Sequence, residues 1–315
     1  MLPPSDKPAD QPRRSPDAIN RIDEPGRLPS CRLKGEVSMR KLASLFIAVF
    51  GILIFCSSVV LADPTIVVRS ASGANPAAIQ GTVDQYRADL GNPNNGNNPG
   101  PLTSGRREIN WDGGGSATTP AGTPFAGFQV IRGALFTTPG TGFVQAPPAG
   151  LGTTFSNPTY ETTFQPFSPL RLFAVVGSNV MDVTFTVPGP PGNPAVVSGF
   201  GAIFADVDLA NTTSLQFFDI NGASLGTFFA PTADNGLSFL GVSFSELVVA
   251  RVRITLGNSQ LGPTDSNGNP IDVVAMDDFI YGEPQTVPEP ATVILLGSGL
   301  TGAVAAVRRR RQSKP

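Results

Sequence analysis

Nearly every side chain in this sequence that could carry chemistry is a carboxylate. The chain has 315 residues and no histidine, which removes imidazole bases, serine–histidine nucleophiles and histidine-ligated zinc. Both cysteines, Cys31 and Cys56, precede residue 63, and Lys314 is the only lysine after it. What remains is the paired-carboxylate chemistry of a glycosidase. Asp206 and Asp208 stand two apart, a spacing that puts both on one side of a strand, and Glu108 and Asp112 flank Trp111, the single tryptophan. Such pairs arise freely in an acidic β protein, where acids at strand ends are usually solvated. The expectation is a protein that is not an enzyme.

Carboxylates and amides also bind hard cations. The stretch DSNGNPID sets Asp265, Asn267, Asn269 and Asp272 in a turn-prone loop whose oxygens could converge on calcium. It is not an EF-hand, because Gly268 sits at the fourth position and no glutamate closes the twelfth. Asp277 and Asp278 follow on the expected last strand, where neighbours point to opposite faces, so one should turn inward. A buried carboxylate needs a partner. Arg251, Arg253 or structural calcium could supply it, unless the acid ends the strand in solvent. For a sugar ligand the candidate platform is Trp111, with Tyr86, Tyr160 and Tyr281 as the other amphipathic aromatics. Each doubles as a core residue, and an exposed Trp111 would separate the two readings.

The elements that must position these residues are mostly strands. Asn75 as cap, Pro76 at the first helical position, Ile79, Val83, Tyr86 and Leu90 at helical spacing and then Gly91 predict one amphipathic helix over 76–90. An Asn-, Gly- and Pro-rich loop follows over 91–105. Thr65 to Arg69 is a plausible first strand. Met181, Val183, Phe185 and Val187 alternate with polar residues, as do Val248, Ala250, Val252, Ile254 and Leu256, and Asn221-Gly222 between apolar runs marks a hairpin. Gly199 to Asp208 and Leu237 to Phe244 add further strands. The predicted class is all-β, a β-sandwich or jelly-roll-like ectodomain over 63–286 with one short N-terminal helix.

Both ends of the chain read as targeting segments. Residues 1–38 contain seven prolines without apolar periodicity, either a disordered leader or an untranslated stretch before a true start at Met39. Met39-Arg40-Lys41, the apolar run Leu42 to Phe55 and Val60-Leu61-Ala62 form a secretory signal peptide over 39–62. Cys56 follows the bulky Phe55, which does not suit a lipoprotein site. Cut ahead of Asp63, the chain up to residue 286 carries 17 acids against eight arginines and no lysine, a net charge of −9 that the whole-chain value of −2 conceals. It has no thiol for a disulfide. Its charge disfavours nucleic acid and suits divalent cations or a neutral glycan.

At the other end, Ala291 to Val307 is uncharged and as a helix would span roughly 25 Å. Arg308, Arg309, Arg310 and Arg311 mark its cytoplasmic side. Pro288-Glu289-Pro290, then this short glycine-containing span, then the basic tail resembles the PEP-CTERM sorting signal of bacteria, here over 287–315. The resemblance implies handling by an exosortase near the Pro-Glu-Pro element. It implies an inner-membrane anchor, a predicted transmembrane helix over 291–307, before delivery to the cell surface or matrix, in bacteria that make exopolysaccharide. The segments GRREINWDG, SLQFFDINGASLGTFF and VAMDDFIYGEP are also similar to recurring parts of uncharacterised ectodomains above such tails, which implies a single β-sandwich with no assigned activity. Two functions stay open, a non-catalytic surface or matrix protein and an exopolysaccharide-binding module.

Overall fold

The computed structural model describes residues 64–264 and 270–287, with Gly299 and Gly302 as single positions. The chain divides into Met1–Leu61 and Ala62–Pro315, and every described residue lies in the second unit. In chain order the strands are β1 (Ile66–Gly73), β2 (Arg106–Ile109), β3 (Thr119–Ala121), β4 (Ala134–Thr137), β5 (Gly142–Ala146), β6 (Leu172–Val176), β7 (Val180–Phe185), β8 (Ala195–Val196), β9 (Gly199–Val207), β10 (Ser214–Phe218), β11 (Ser224–Phe229), β12 (Ala233–Phe244), β13 (Arg251–Thr255), β14 (Ala275–Gly282) and β15 (Gln285–Thr286). The helices are α1 (Pro76–Leu90), α2 (Gln129–Arg132), α3 (Pro148–Phe155) and α4 (Tyr160–Thr163).

Two antiparallel sheets carry the architecture. The larger runs β1-β12-β9-β14-β6-β5-β3 with β2 added beside β14, and the smaller runs β11-β10-β13-β7-β4. Between them lies a core rich in phenylalanine, in which Phe136, Val183, Phe217 and Val252 of the smaller sheet meet Phe173, Phe204, Leu240 and Phe279 of the larger. The smaller sheet faces solvent on its far side, so β7 keeps the alternation read from its sequence, with Met181, Val183 and Phe185 buried. The larger sheet is covered on its far side too, by α1, α3 and α4. That second cover explains why β9 and β14 are buried at every position.

The helix α1 forms for local reasons and is held by the sheet. The Asn75 side chain accepts from the Ala78 N–H at 3.2 Å, Pro76 starts the helix, and Gly91 at φ +96 ends it. Ile79, Val83, Tyr86 and Leu90 are buried. Tyr86 settles over Gly201 and Gly241, paired neighbours on β9 and β12, where a Cβ would fall within 2.8 Å of its ring. Its hydroxyl donates to the Val242 carbonyl at 3.1 Å.

The structure is mostly β and sandwich-like, but two strands and three short helices depart from the sequence reading. β1 runs four residues beyond Arg69, and β12 begins at Ala233 rather than Leu237. The short helices α2, α3 and α4 have too few residues to show helical periodicity. Among the described residues no helix is long and apolar enough to cross a membrane. The expected span 291–307 lies outside them except for Gly299 and Gly302.

Candidate functional site

Asp277 and Asp278 sit where β14 is irregular. Against β9 the register runs Met276↔Phe204 and then Phe279↔Ala202, three steps against two, which is a β-bulge. Met276 and Phe279 both face the inter-sheet core, so the extra residue turns both aspartates to the opposite face. Both are buried, where alternation predicted only one. The Asp277 carboxylate accepts from the Phe167 and Ser168 N–H groups at 2.5 and 3.1 Å. Around the Ser168 Oγ stand Asp278 Oδ1 at 2.7 Å, Asp112 Oδ2 at 3.1 Å and Asp277 Oδ1 at 3.4 Å. One hydroxyl has one hydrogen to give, so a further proton on the carboxyls satisfies the cluster. Burial accordingly pushes Asp278 up to about 6 and holds Asp277 well above the ordinary range, with the neighbouring Asp278 charge adding to it.

The partner expected from Arg251 or Arg253 is instead Arg87 of α1, whose guanidinium lies 3.7 Å from Asp278 and 2.9 Å from Glu108. Arg251 and Arg253 belong to the other sheet, on its solvent face, and both hold Asp182, at 3.1 and 2.9 Å. Trp111 is buried too, at 1% exposure, stacked 3.8 Å from Phe173 with edge contacts to Phe128 and Phe279. Its Nε1–H donates to the Asp277 carbonyl at 3.1 Å. It braces the bulge from the core side and offers no face to a sugar. Tyr86, Tyr160 and Tyr281 are likewise buried.

The loop expected to gather calcium ligands is only partly described. Asp265, Asn267 and Asn269 lie outside the described residues. Asp272 accepts from the Asp208 N–H at 3.1 Å and from the Thr212 hydroxyl, and among the described residues it shares no hydrogen-bond partner with Asp277 or Asp278. The described members of the expected set therefore belong to two separate networks. Burial raises Asp272 above its ordinary value.

A different trio comes together beside Asp272. Carboxylate oxygens of Asp206, Asp208 and Asp234 all lie within 4.8 Å of one another, Asp206 buried and the other two exposed. β12 swells here, pairing Ala233↔Val207 and then Leu237↔Ala205. Asp206 and Asn235 both adopt left-handed backbone, at φ +67 and +51, a conformation that Asp and Asn accept more readily than other residues with a side chain. The Asn235 N–H donates to Asp206 Oδ1 at 2.8 Å. Among the described residues no arginine pairs with Asp206, Asp234 or Asp272. Burial first, then the charges of Asp208 and Asp234, push Asp206 up to about 7. Hard carboxylate oxygens at this spacing could hold a divalent cation or share a proton. The pair Asp206 and Asp208 was legible from spacing alone, whereas Asp234 joins them only through the pairing of β9 with β12.

From the last residue of β15 onward the sequence matches a known family pattern. Residues 286–311 correspond to the PEP-CTERM protein-sorting motif. The chain carries a PEP-CTERM sorting motif. It stands behind a β-rich ectodomain and supports processing by an exosortase and export as a membrane-anchored precursor. Pro288, Glu289, Pro290 and Arg308 to Arg311 lie outside the described residues. No curated protein matches the sequence.

Proposed function

We propose that this chain is an exported, non-catalytic protein of the cell surface or extracellular matrix, delivered through its PEP-CTERM tail. The motif at residues 286–311, which begins on the last residue of the last strand, carries the reading. The signal peptide over 39–62 brings the precursor to the inner membrane, residues 291–307 hold it there, and an exosortase acts near Pro288-Glu289-Pro290. A non-catalytic role is supported by the absence of histidine from the sequence. It is supported also by the carboxyl groups of the bulge, which are enclosed under α1 rather than open to a substrate.

Exopolysaccharide binding is the alternative, and it has lost its aromatic platform with Trp111 in the core. One observation still favours it. A surface cavity of about 250 Å³ at the start of β1 is lined by Thr65, Ser198, Ser243, Ser245 and Asp89 beside Val67 and Phe244, a mixed lining suited to a small polyhydroxyl group.

Mass spectrometry of both mature termini in the native host, with cell fractionation, tests the delivery route. A mature N-terminus at Asp63 and loss of the basic tail are expected. An intact Met1-to-Pro315 chain in the cytoplasm would overturn the proposal. Glu289→Ala, or deletion of Arg308 to Arg311, should leave the ectodomain folded while altering its processing or topology. Unchanged processing in an exosortase-positive host counts against the role given to the tail.

A further inference from the structure

A sheet ends in edge strands whose unpaired N–H and C=O groups can template another strand, and proteins normally shorten, bend, cover or interrupt them. Three of the four strands that end the two main sheets follow this rule. β3 has three residues, one of them Pro120. β4 is covered by Phe125, whose backbone exchanges hydrogen bonds with Phe136 at 2.8 and 3.1 Å. β11 carries Gly226 at φ +134 and lies across a register shift from β10.

β1 has none of these protections. It runs eight residues without proline, in unbroken register with β12 from Ile66↔Phe244 to Gly73↔Leu237, and among the described residues it pairs with no other strand. Ile66, Val67 and Val68 are 42%, 38% and 45% exposed. Its one charge, Arg69, is held 2.7 Å from Asp89 of α1. The edge is thus apolar and locally neutral in a domain that is otherwise acidic. The Ser245 N–H donates to the Thr65 carbonyl at 2.9 Å, which sets the phase of the ladder. Odd-numbered residues of β1 bond to β12, and Ile66, Val68, Ser70 and Ser72 direct their N–H and C=O groups outward.

We propose that β1 docks a second copy of this chain, the two β1 strands pairing antiparallel about a two-fold axis at Val67. In that register Ile66 of each copy faces Val68 of the other, and the outward groups of both residues satisfy one another. The two Val67 side chains face each other across the axis. Every exposed apolar residue of the edge then meets a β-branched neighbour, the kind of pair that stabilises antiparallel sheets, and the isologous contact closes at two copies. The Arg69–Asp89 pair leaves no net charge on the strand itself, so the repulsion between two acidic domains is not concentrated at the contact. On the export reading above, cleavage ahead of Asp63 leaves three residues before Ile66, too few to fold back and cover the edge.

Cysteine cross-linking of the chain exported and processed in its native host, whose own Cys31 and Cys56 leave with the residues before Asp63, reads this register directly. The Val67 positions form a non-hydrogen-bonded pair with Cα atoms about 4.5 Å apart, within disulfide range. Under oxidising conditions Val67→Cys should give a reducible species of twice the monomer mass, and Ser72→Cys should stay monomeric. Adding Val68→Pro, which removes an outward N–H and no bond to β12, should abolish the dimer with the circular dichroism and melting curve retained. Where the proline variant melts early, Val68→Lys replaces it and should abolish the dimer by charge repulsion. A monomeric Val67→Cys, equal cross-linking at Ser72→Cys, or a mixed disulfide with a different protein in place of the dimer would each overturn the second-copy interface.

Discussion

Two acidic sites in this domain, one buried and one reaching the surface, receive opposite treatment. At Glu283 the fold supplies one guanidinium for one carboxylate. Arg107 holds it through two contacts of 2.7 and 2.8 Å, and Asn95 and the Leu102 N–H complete the shell. The remaining Arg107 donor binds the Gly96 and Ile131 carbonyls, which fastens the Asn-, Gly- and Pro-rich loop to the sheet. At Asp206, Asp208 and Asp234 the fold gathers three carboxylates, and among the described residues no arginine pairs with Asp206 or Asp234. The difference teaches that eight arginines cannot pair with all 17 acids, so a carboxylate taken out of water without one, such as Asp206, is held by hydrogen bonds and a raised proton affinity instead.

The sharpest way to break the comparison is to create the deficit at Glu283. Arg107→Met leaves a fully buried carboxylate unpaired and should cost about 3–5 kcal/mol, read as a shift in the urea midpoint at constant slope. The double variant Arg107→Met with Glu283→Leu should recover much of the loss. A single variant as stable as the wild type would show that the pair contributes nothing.

The next effect concerns the proton at the bulge. Asp278 is held at about 6 against 3.8 in an ordinary environment, so the folded state keeps a proton that the unfolded chain releases between those values. Its contribution is fully present below about pH 4 and is lost as pH rises through about 6, a change of roughly 3 kcal/mol. Urea midpoints measured from pH 4 to pH 7, wild type minus Asp278→Asn, separate the interacting Asp277–Asp278 pair from the other acids. A difference that is flat, or that grows with pH, removes the buried proton.

Calcium sharpens the other side of the comparison. A cation that binds the Asp206, Asp208 and Asp234 oxygens only in the folded state adds about 2.7 kcal/mol at a hundredfold excess over its Kd, or roughly 5–10 °C in melting temperature. Chelator should reverse the gain, and Asp234→Asn should abolish it. Identical melting in millimolar calcium and in chelator would leave the trio to share a proton instead. The smallest effect belongs to the exposed face. Arg253→Ala removes one of two arginines from the half-exposed Asp182 and should cost under about 1 kcal/mol, with a larger loss in thermal melts indicating that the Arg251–Asp182–Arg253 group acts as a unit.

Residue order alone determined the parts of this protein whose physics is local. The helix α1 could be read because Asn75, Pro76 and Gly91 act on their own backbone neighbours and its four buried residues repeat at the helical period. β7 and β13 could be read because one face of their sheet meets water, which preserves alternation. The sorting motif is a linear signal and needs no fold to be recognised. What depended on contacts between distant segments was decided by the tertiary structure. The bulge at Asp277 and Asp278 exists because β14 must match β9, and one extra residue there reverses the face that alternation assigned. Trp111 became a core residue because β2 pairs with β14 and delivers the indole against Phe173. Asp234 reached Asp206 because β12 pairs with β9. In each case the deciding partner lies at least 25 residues away in the sequence, so its contribution to burial and charge is absent from any local pattern.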